Sequence, residues 1–212
     1  VTYPPATDFE TAISLEPDVA RELPTQENGG ISADGRTYTF HLKDNIRWNS
    51  SPPRAVTAHD FVRAFKYLCN PVAPVGAPGY YTSTIVGMAR YCADFVKVPG
   101  TTADIRRFMT THEIEGVRVV DASTVAFTLR APATVFLNLL AMPCASAVPE
   151  EYLDYLPDSP EFRRNTLSIG PYAVTRYVQN RQIELARNPA WDPRTDPHRP
   201  AYVDRISIQL GI

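Results

Sequence analysis

The chain has 212 residues, a formal charge of −2 at pH 7, 44% hydrophobic residues and 21% charged residues. That length suffices for one domain or one and a half, and the near-zero charge gives no electrostatic case for nucleic acid or an anionic membrane surface. No apolar run approaches the roughly 20 residues that a membrane-spanning helix needs.

Residues 1–33 read as a loop with a short amphipathic piece. The Asp34-Gly35 turn then opens an alternating strand, with Tyr38, Phe40 and Leu42 on one side and Thr37, Thr39 and His41 on the other. Ile46-Arg47-Trp48 reads as a second short strand. Thr57 is placed to cap a helix, and Asp60, three residues on, to reach back to it. Phe61, Phe65, Leu68 and Cys69 recur at helical spacing, so one face is core. Asn70-Pro71 ends this helix, because a residue before proline is pushed out of helical geometry.

Val72 to Gly79 reads as an irregular loop leading to Tyr80-Tyr81. A helix is expected from Ser83, carrying Val86, Met88, Ala89, Cys92 and Phe95, until Pro99-Gly100 stops it. Thr102 caps another through Met109. Val117–Val120 and Val125–Leu129, joined by Asp121-Ala122-Ser123, predict a β-hairpin. Pro132 opens a helix with Val135, Phe136, Leu139 and Leu140 on its apolar face, and Pro149 opens the next. The polar stretch from about Leu156 to Ser168 reads as a crossover. Three strands follow, around Tyr172–Val174, Ile183–Leu185 and Ile206–Leu210.

The chemistry-bearing patterns are mostly negative. The chain has no G-x-S-x-G, no G-x-x-x-x-G-K-[ST], no G-x-G-x-x-G and no H-E-x-x-H, so no catalytic residue is assigned. His41, His59, His112 and His198 lie on a strand, a helix cap, a linker and a proline-rich loop, with nothing in sequence to converge them. Glu150-Glu151 fits the acidic first turn of a helix better than an acid/base pair. Asp34, Asp44, Asp60, Asp121 and Asp204 fall at turns or caps and read as local backbone partners rather than a calcium loop. Trp48 and Trp191 read as packing residues. Cys69, Cys92 and Cys144 lack C-x-x-C spacing, which argues against a zinc site. In an oxidising compartment Cys69 and Cys92 can bridge the loop between two helices; the alternative is three free buried thiols.

The order of these motifs resembles the extracellular solute-binding proteins of oligopeptide- and dipeptide-importing ABC transporters, family 5. Three blocks carry the resemblance. The first is Asp34-Gly35-Arg36-Thr37-Tyr38-Thr39-Phe40-His41-Leu42 with Arg47-Trp48 and Val56-Thr57-Ala58-His59-Asp60. The second is Gly170-Pro171-Tyr172 with Arg187-Asn188-Pro189-Ala190-Trp191, and the third is Tyr202-Val203-Asp204-Arg205-Ile206. The W-[ST]-D-G-x-P loop of that family is altered here, Trp48-Asn49-Ser50-Ser51-Pro52-Pro53-Arg54-Ala55 being two residues longer and without its glycine.

The resemblance implies a mixed α/β (α+β) chain forming part of a two-lobed periplasmic-binding-protein type II-like fold. Residues 1–165 would be a smaller accessory subdomain, and 166–212 the beginning of the ligand-binding lobe's sheet. The chain begins mid-pattern at Val1 and stops after a strand at Ile212, so it reads as a fragment. The function implied is capture of short peptides, or another small solute, for delivery to ABC permease subunits, without cofactor, metal or chemistry on the ligand. The expected location is extracytoplasmic, periplasmic or as a cell-surface lipoprotein. The rival reading is a sensing or interaction module of the same fold that feeds a signalling partner. For the ligand site, the family supplies a tyrosine from the loop after the first helix, matched here by Tyr80 or Tyr81, with Ser83 and Thr84 beside them.

Overall fold

The turn before the first strand is built by short polar side chains. Ser32 Oγ and the Arg36 N–H both donate to Asp34 Oδ1 (2.6 and 3.1 Å), and Gly35 takes φ 67°, a conformation that costs glycine nothing. In this computed structural model, which describes residues 1–3, 13–74 and 78–211, the strand that follows is β1, Thr37–His41. Its alternation is the expected one: Tyr38, Phe40 and Leu42 are buried. Ile46–Trp48 does not form a strand. That segment folds back on itself through a single Arg47–Ala55 bridge and the Trp48 N–H to Arg54 carbonyl bond.

Helix α1 spans Ala58–Tyr67 with Thr57 as its N-cap residue, and the Thr57 N–H donates to Asp60 Oδ2 at 3.0 Å. Its Phe65 ring meets Phe127 edge-on at 4.9 Å and Tyr81 at 5.4 Å, near the centre of the core. The helix expected from Ser83 is two helices: α2, Pro78–Thr84, and α3, Met88–Phe95. Gly87 divides them. It holds φ 74°, and a Cβ there would lie 2.8 Å from Glu115 Cβ, so the chain must turn at this point. Helix α4, Thr102–Thr111, is capped one residue earlier than expected, by Thr101 Oγ1 accepting from the Asp104 N–H.

The hairpin forms as β2, Val117–Asp121, and β3, Thr124–Thr128. The sheet order is β1-β3-β2, all antiparallel, with Tyr38 opposite Phe127 and Phe40 opposite Val125. The outer edge of β1 is closed by Ala20–Arg21 and Gly30–Ser32. The Arg21 N–H donates to the His41 carbonyl and the Thr39 N–H to the Gly30 carbonyl, both at 2.8 Å.

Beyond the hairpin the Pro132 helix is shorter than its apolar pattern. Only α5, Phe136–Leu140, is helical; ahead of it the partly buried Ala133 has its carbonyl accepting from the Tyr38 hydroxyl at 3.1 Å and from the Phe136 N–H. Pro149 precedes a 3₁₀ turn, Glu150–Asp154, and the crossover holds a short helix α6, Pro160–Arg164. A second antiparallel sheet follows, order β4-β5-β6, from Tyr172–Val178, Gln182–Arg187 and Arg205–Gln209. Cys69 and Cys92 are disulfide-bonded with their Cα atoms 5.2 Å apart, tying the end of α1 to α3, and Cys144 is free. Among the described residues no helix is long and apolar enough to cross a membrane.

Candidate functional site

The four residues singled out for ligand contact lie together on α2, in two different environments. Tyr81 is fully buried. Its hydroxyl donates to the Leu139 carbonyl at 2.7 Å and lies 3.4 Å from Cys144 Sγ, and burial pushes that hydroxyl's pKa up. Tyr81 is therefore a packing residue rather than an exposed platform. Tyr80 is 55% exposed and turns its ring outward. The Ser83 and Thr84 hydroxyls donate back to the Gly79 and Tyr80 carbonyls (2.9 and 2.7 Å), leaving their lone pairs, not their protons, for a partner.

A cavity of about 520 Å³ lies between β1, β3, α1 and the segments 140–147 and 167–170. Its walls are mostly apolar, with Phe40, Trp48, Phe61, Phe127 and Met142, while Asp18 and Arg199 supply charge. None of Tyr80, Tyr81, Ser83 and Thr84 lines it. The Arg199 guanidinium is already engaged: it pairs with Asp18 and, through Nε at 2.8 Å, with Asp196, which also accepts from Trp191 Nε1 at 3.1 Å. Burial favours the neutral Asp18 carboxyl, but the Arg199 hydrogen bonds outweigh it and hold the group below the usual carboxylate range.

A second polar cluster centres on Asp60, which is 1% exposed. It accepts from Trp48 Nε1 (3.2 Å), the Thr57 N–H (3.0 Å), both terminal nitrogens of Arg54 (3.0 Å each) and Arg63 Nη1 (2.7 Å). Arg54 then reaches Glu151 through two bonds of 2.9 and 2.8 Å. Burial alone would raise the Asp60 carboxyl; the Arg54, Thr57 and Trp48 donors hold it below its ordinary value instead. From sequence Asp60 reads as a local cap and Glu151 as first-turn acid; the structure makes each a partner of Arg54 as well. The pairing of Arg54 with both carboxylates, one six residues away and one 97 away, is not visible in a linear pattern, although an arginine in a loop two residues longer than expected is a signal.

The motif blocks meet at the junction between the two sheets. Ser168 N–H donates to Asn49 Oδ1 at 2.7 Å, beside Trp48 of the first block. Asn188, 4% exposed, donates through Nδ2 to the Ser168 and Gly170 carbonyls (3.2 and 2.9 Å), and its N–H bonds the Pro171 carbonyl at 2.9 Å. The Gly-Pro-Tyr and Arg-Asn-Pro motifs are thus two halves of one hydrogen-bonded corner. Trp48 is 3% exposed and Trp191 partly so, each with its indole N–H on an aspartate, as packing residues require. Among the described residues no group of three or more His, Cys, Asp and Glu side chains is placed to hold a metal ion.

Residues 14–211 match the family of bacterial extracellular solute-binding proteins, family 5 Middle. The chain belongs to this family. It is a family of binding proteins rather than enzymes. The chain is 28% identical over 192 residues to the di/tripeptide-binding protein 4 of Pseudomonas aeruginosa, covering 86% of this chain and 32% of that protein. It is 31% identical over 160 residues to the periplasmic oligopeptide-binding protein OppA of Salmonella typhimurium, covering 75% of this chain and 27% of that one. Among solved structures it superposes on the clavulanic acid biosynthesis oligopeptide binding protein 2 with a TM-score of 0.77 at 28% identity, over 100% of this chain and 34% of that one. The fold is accordingly the mixed α/β periplasmic-binding-protein type II-like fold, in part. The chain spans about a third of the length of the curated relatives it matches.

Proposed function

We propose that this chain is part of the extracytoplasmic solute-binding component of an ABC importer, and that its solute is a short peptide. The observation that carries the reading is the match over residues 14–211, joined to relatives whose own names are those of peptide-binding proteins. On this reading residues 1–165 form an accessory subdomain around the β1-β3-β2 sheet, and 166–212 begin the ligand-binding lobe with β4-β5-β6. The peptide is captured between lobes, a hinge closes, and the loaded protein docks on its permease. Main-chain and water-mediated hydrogen bonds hold the extended peptide, which makes side-chain identity a secondary matter.

Tyr80 is the residue of α2 that presents an aromatic face to such a ligand, with Ser83 and Thr84 as acceptors on the same helix and Tyr81 anchoring the helix from below. The test is native mass spectrometry of the full-length receptor containing this chain, purified without denaturation. A ladder of small peptide masses released on unfolding is the expected result, with a lower occupancy after Tyr80→Ala. A single non-peptide mass, or a protein that stays empty in peptide pools, would overturn the peptide assignment.

A further inference from the structure

Asn28-Gly29 is the one Asn-Gly pair in the chain, and it sits on an exposed turn between Pro24 and Ile31. Such pairs carry a chemistry of their own. The glycine backbone nitrogen attacks the asparagine Cγ and its proton leaves with the side-chain nitrogen as ammonia, closing a five-membered imide. Water then opens one of the two imide C–N bonds to give aspartate or isoaspartate. Water replaces ammonia overall, nothing is oxidised or reduced, and the absence of a side chain on glycine is what leaves the approach open.

The folded turn holds both reacting groups in place and so keeps them from reaching each other. Asn28 Oδ1 accepts from the Thr25 and Gly30 N–H groups (2.8 and 2.9 Å), and Nδ2 donates to the Leu23 carbonyl at 2.9 Å, so the electrophilic carbon is held by three bonds. The attacking nitrogen is engaged as well, since the Gly29 N–H donates to the Gln26 carbonyl at 3.2 Å. The Asn28 N–H is in turn held by Thr25 Oγ1 at 3.1 Å. The backbone of the next residue packs close to Pro24, since a Cβ on Gly30 would lie 2.6 Å from Pro24 Cβ, so only glycine fits there.

The same turn delivers Gly30 and Ile31 to the open edge of β1, where the Gly30 carbonyl accepts the Thr39 N–H at 2.8 Å and Ile31 bridges Tyr38. We propose that Asn28 is a spontaneous modification site gated by opening of this turn, and that its conversion irreversibly loosens the cover on the β1 edge. In the product a carboxylate oxygen replaces the Nδ2 donor and faces the Leu23 carbonyl, acceptor against acceptor. The isoaspartate form also lengthens the backbone within a turn whose register is fixed by the bonds of Asn28 to Leu23, Thr25 and Gly30. An unpaired β1 edge is then a template for association.

The experiment incubates the intact chain in mildly alkaline buffer, native and in urea, and follows the exchange of ammonia for water at Asn28 by peptide-level mass spectrometry. This mass readout is blind to isomerisation at the neighbouring Asp34-Gly35 pair. Conversion is expected to be slower in the native chain by about tenfold or more, the factor that one hydrogen bond's worth of opening supplies. Thr25→Ala, which frees the Asn28 N–H, should raise the native rate. Asn28→Asp, made directly, should speed hydrogen exchange at the Thr39 amide. Equal native and urea rates, no conversion in urea, or an unchanged Thr39 amide in Asn28→Asp would each overturn the proposal. Should Thr25→Ala unfold, its rate simply joins the urea value, and Asn28→Asp carries the test.

Discussion

The two sheets of this chain have the same strand number and the same antiparallel pairing, yet they are held in different ways. In β1-β3-β2 the central strand β3 has four of its five residues buried, and α1 lays Phe65 across it. In β4-β5-β6 the only buried strand residue is Ala173, and β6 is exposed along most of its length. One sheet is the wall of a core. The other is a surface, tied on by the Asn49–Ser168–Asn188 corner and the Asp18–Arg199 pair rather than by packing. Hydrogen bonding makes a sheet, but burial against another layer sets how much its removal costs.

The largest effect should come from breaking the polar hub of the first region. Asp60→Ala removes the buried carboxylate that Arg54, Arg63, the Thr57 N–H and the Trp48 indole share and should cost about 3–5 kcal/mol, whereas Ile206→Ala in the mostly exposed β6 should cost under about 2 kcal/mol. Urea unfolding midpoints of the two variants test the contrast, and equal losses would erase it. The same hub has a pH signature. The Asp60 carboxyl is depressed in the folded chain, so its contribution is present above the unfolded value of about 3.9 and is lost as pH falls through the folded value below that. The stability gap between the natural chain and Asp60→Asn should therefore narrow on acidification below about pH 4.

Next in size is the covalent tie within the first region. The Cys69–Cys92 bond closes a loop with a sequence separation of 23, so Cys69→Ser with Cys92→Ser should cost about 3 kcal/mol on the loop-entropy account. Hydrogen exchange should show the loss in α1, α3 and the first sheet, while the amides of the more exposed β4-β5-β6 stay unchanged. Equal loosening of both sheets would mean that the second depends on the first more than its contacts indicate. The smallest effect separates the adjacent tyrosines of α2. Tyr81→Phe gives up the bond to the Leu139 carbonyl and should cost about 1 kcal/mol, and Tyr80→Phe should leave the thermal midpoint unchanged.

Much of this was legible from local chemistry. The Asp34-Gly35 turn, the alternation of β1, the Thr57–Asp60 helix start and the β2–β3 hairpin are set by residues within a few positions of each other, and each formed where its pattern indicated. The last three strands also form at their alternating apolar pairs, although β4 runs on past the expected Val174 to Val178 through a register shift and β6 stops at Gln209, short of Leu210. Apolar periodicity overreaches at Pro132–Val135 and across Ile85–Gly87. At Gly87 the positive φ and the close approach of Glu115 break the helix from outside the segment, and before Phe136 the Ala133 carbonyl is taken up by the Tyr38 hydroxyl.

By itself the sequence determined which residues prefer strand, turn and helix, and, through three ordered motif blocks, the family. The tertiary structure alone decided that β1 lies beside β3, that Tyr81 rather than Tyr80 turns inward, and that Asp60 gathers two arginines and an indole. The physical reason is that turn and cap preferences act through the local backbone and can be read in order. Burial and charge pairing depend instead on how loops and elements pack, whether the partner is near in sequence, as Arg54 is to Asp60, or far, as Glu151 is from Arg54 and Ser168 from Asn49.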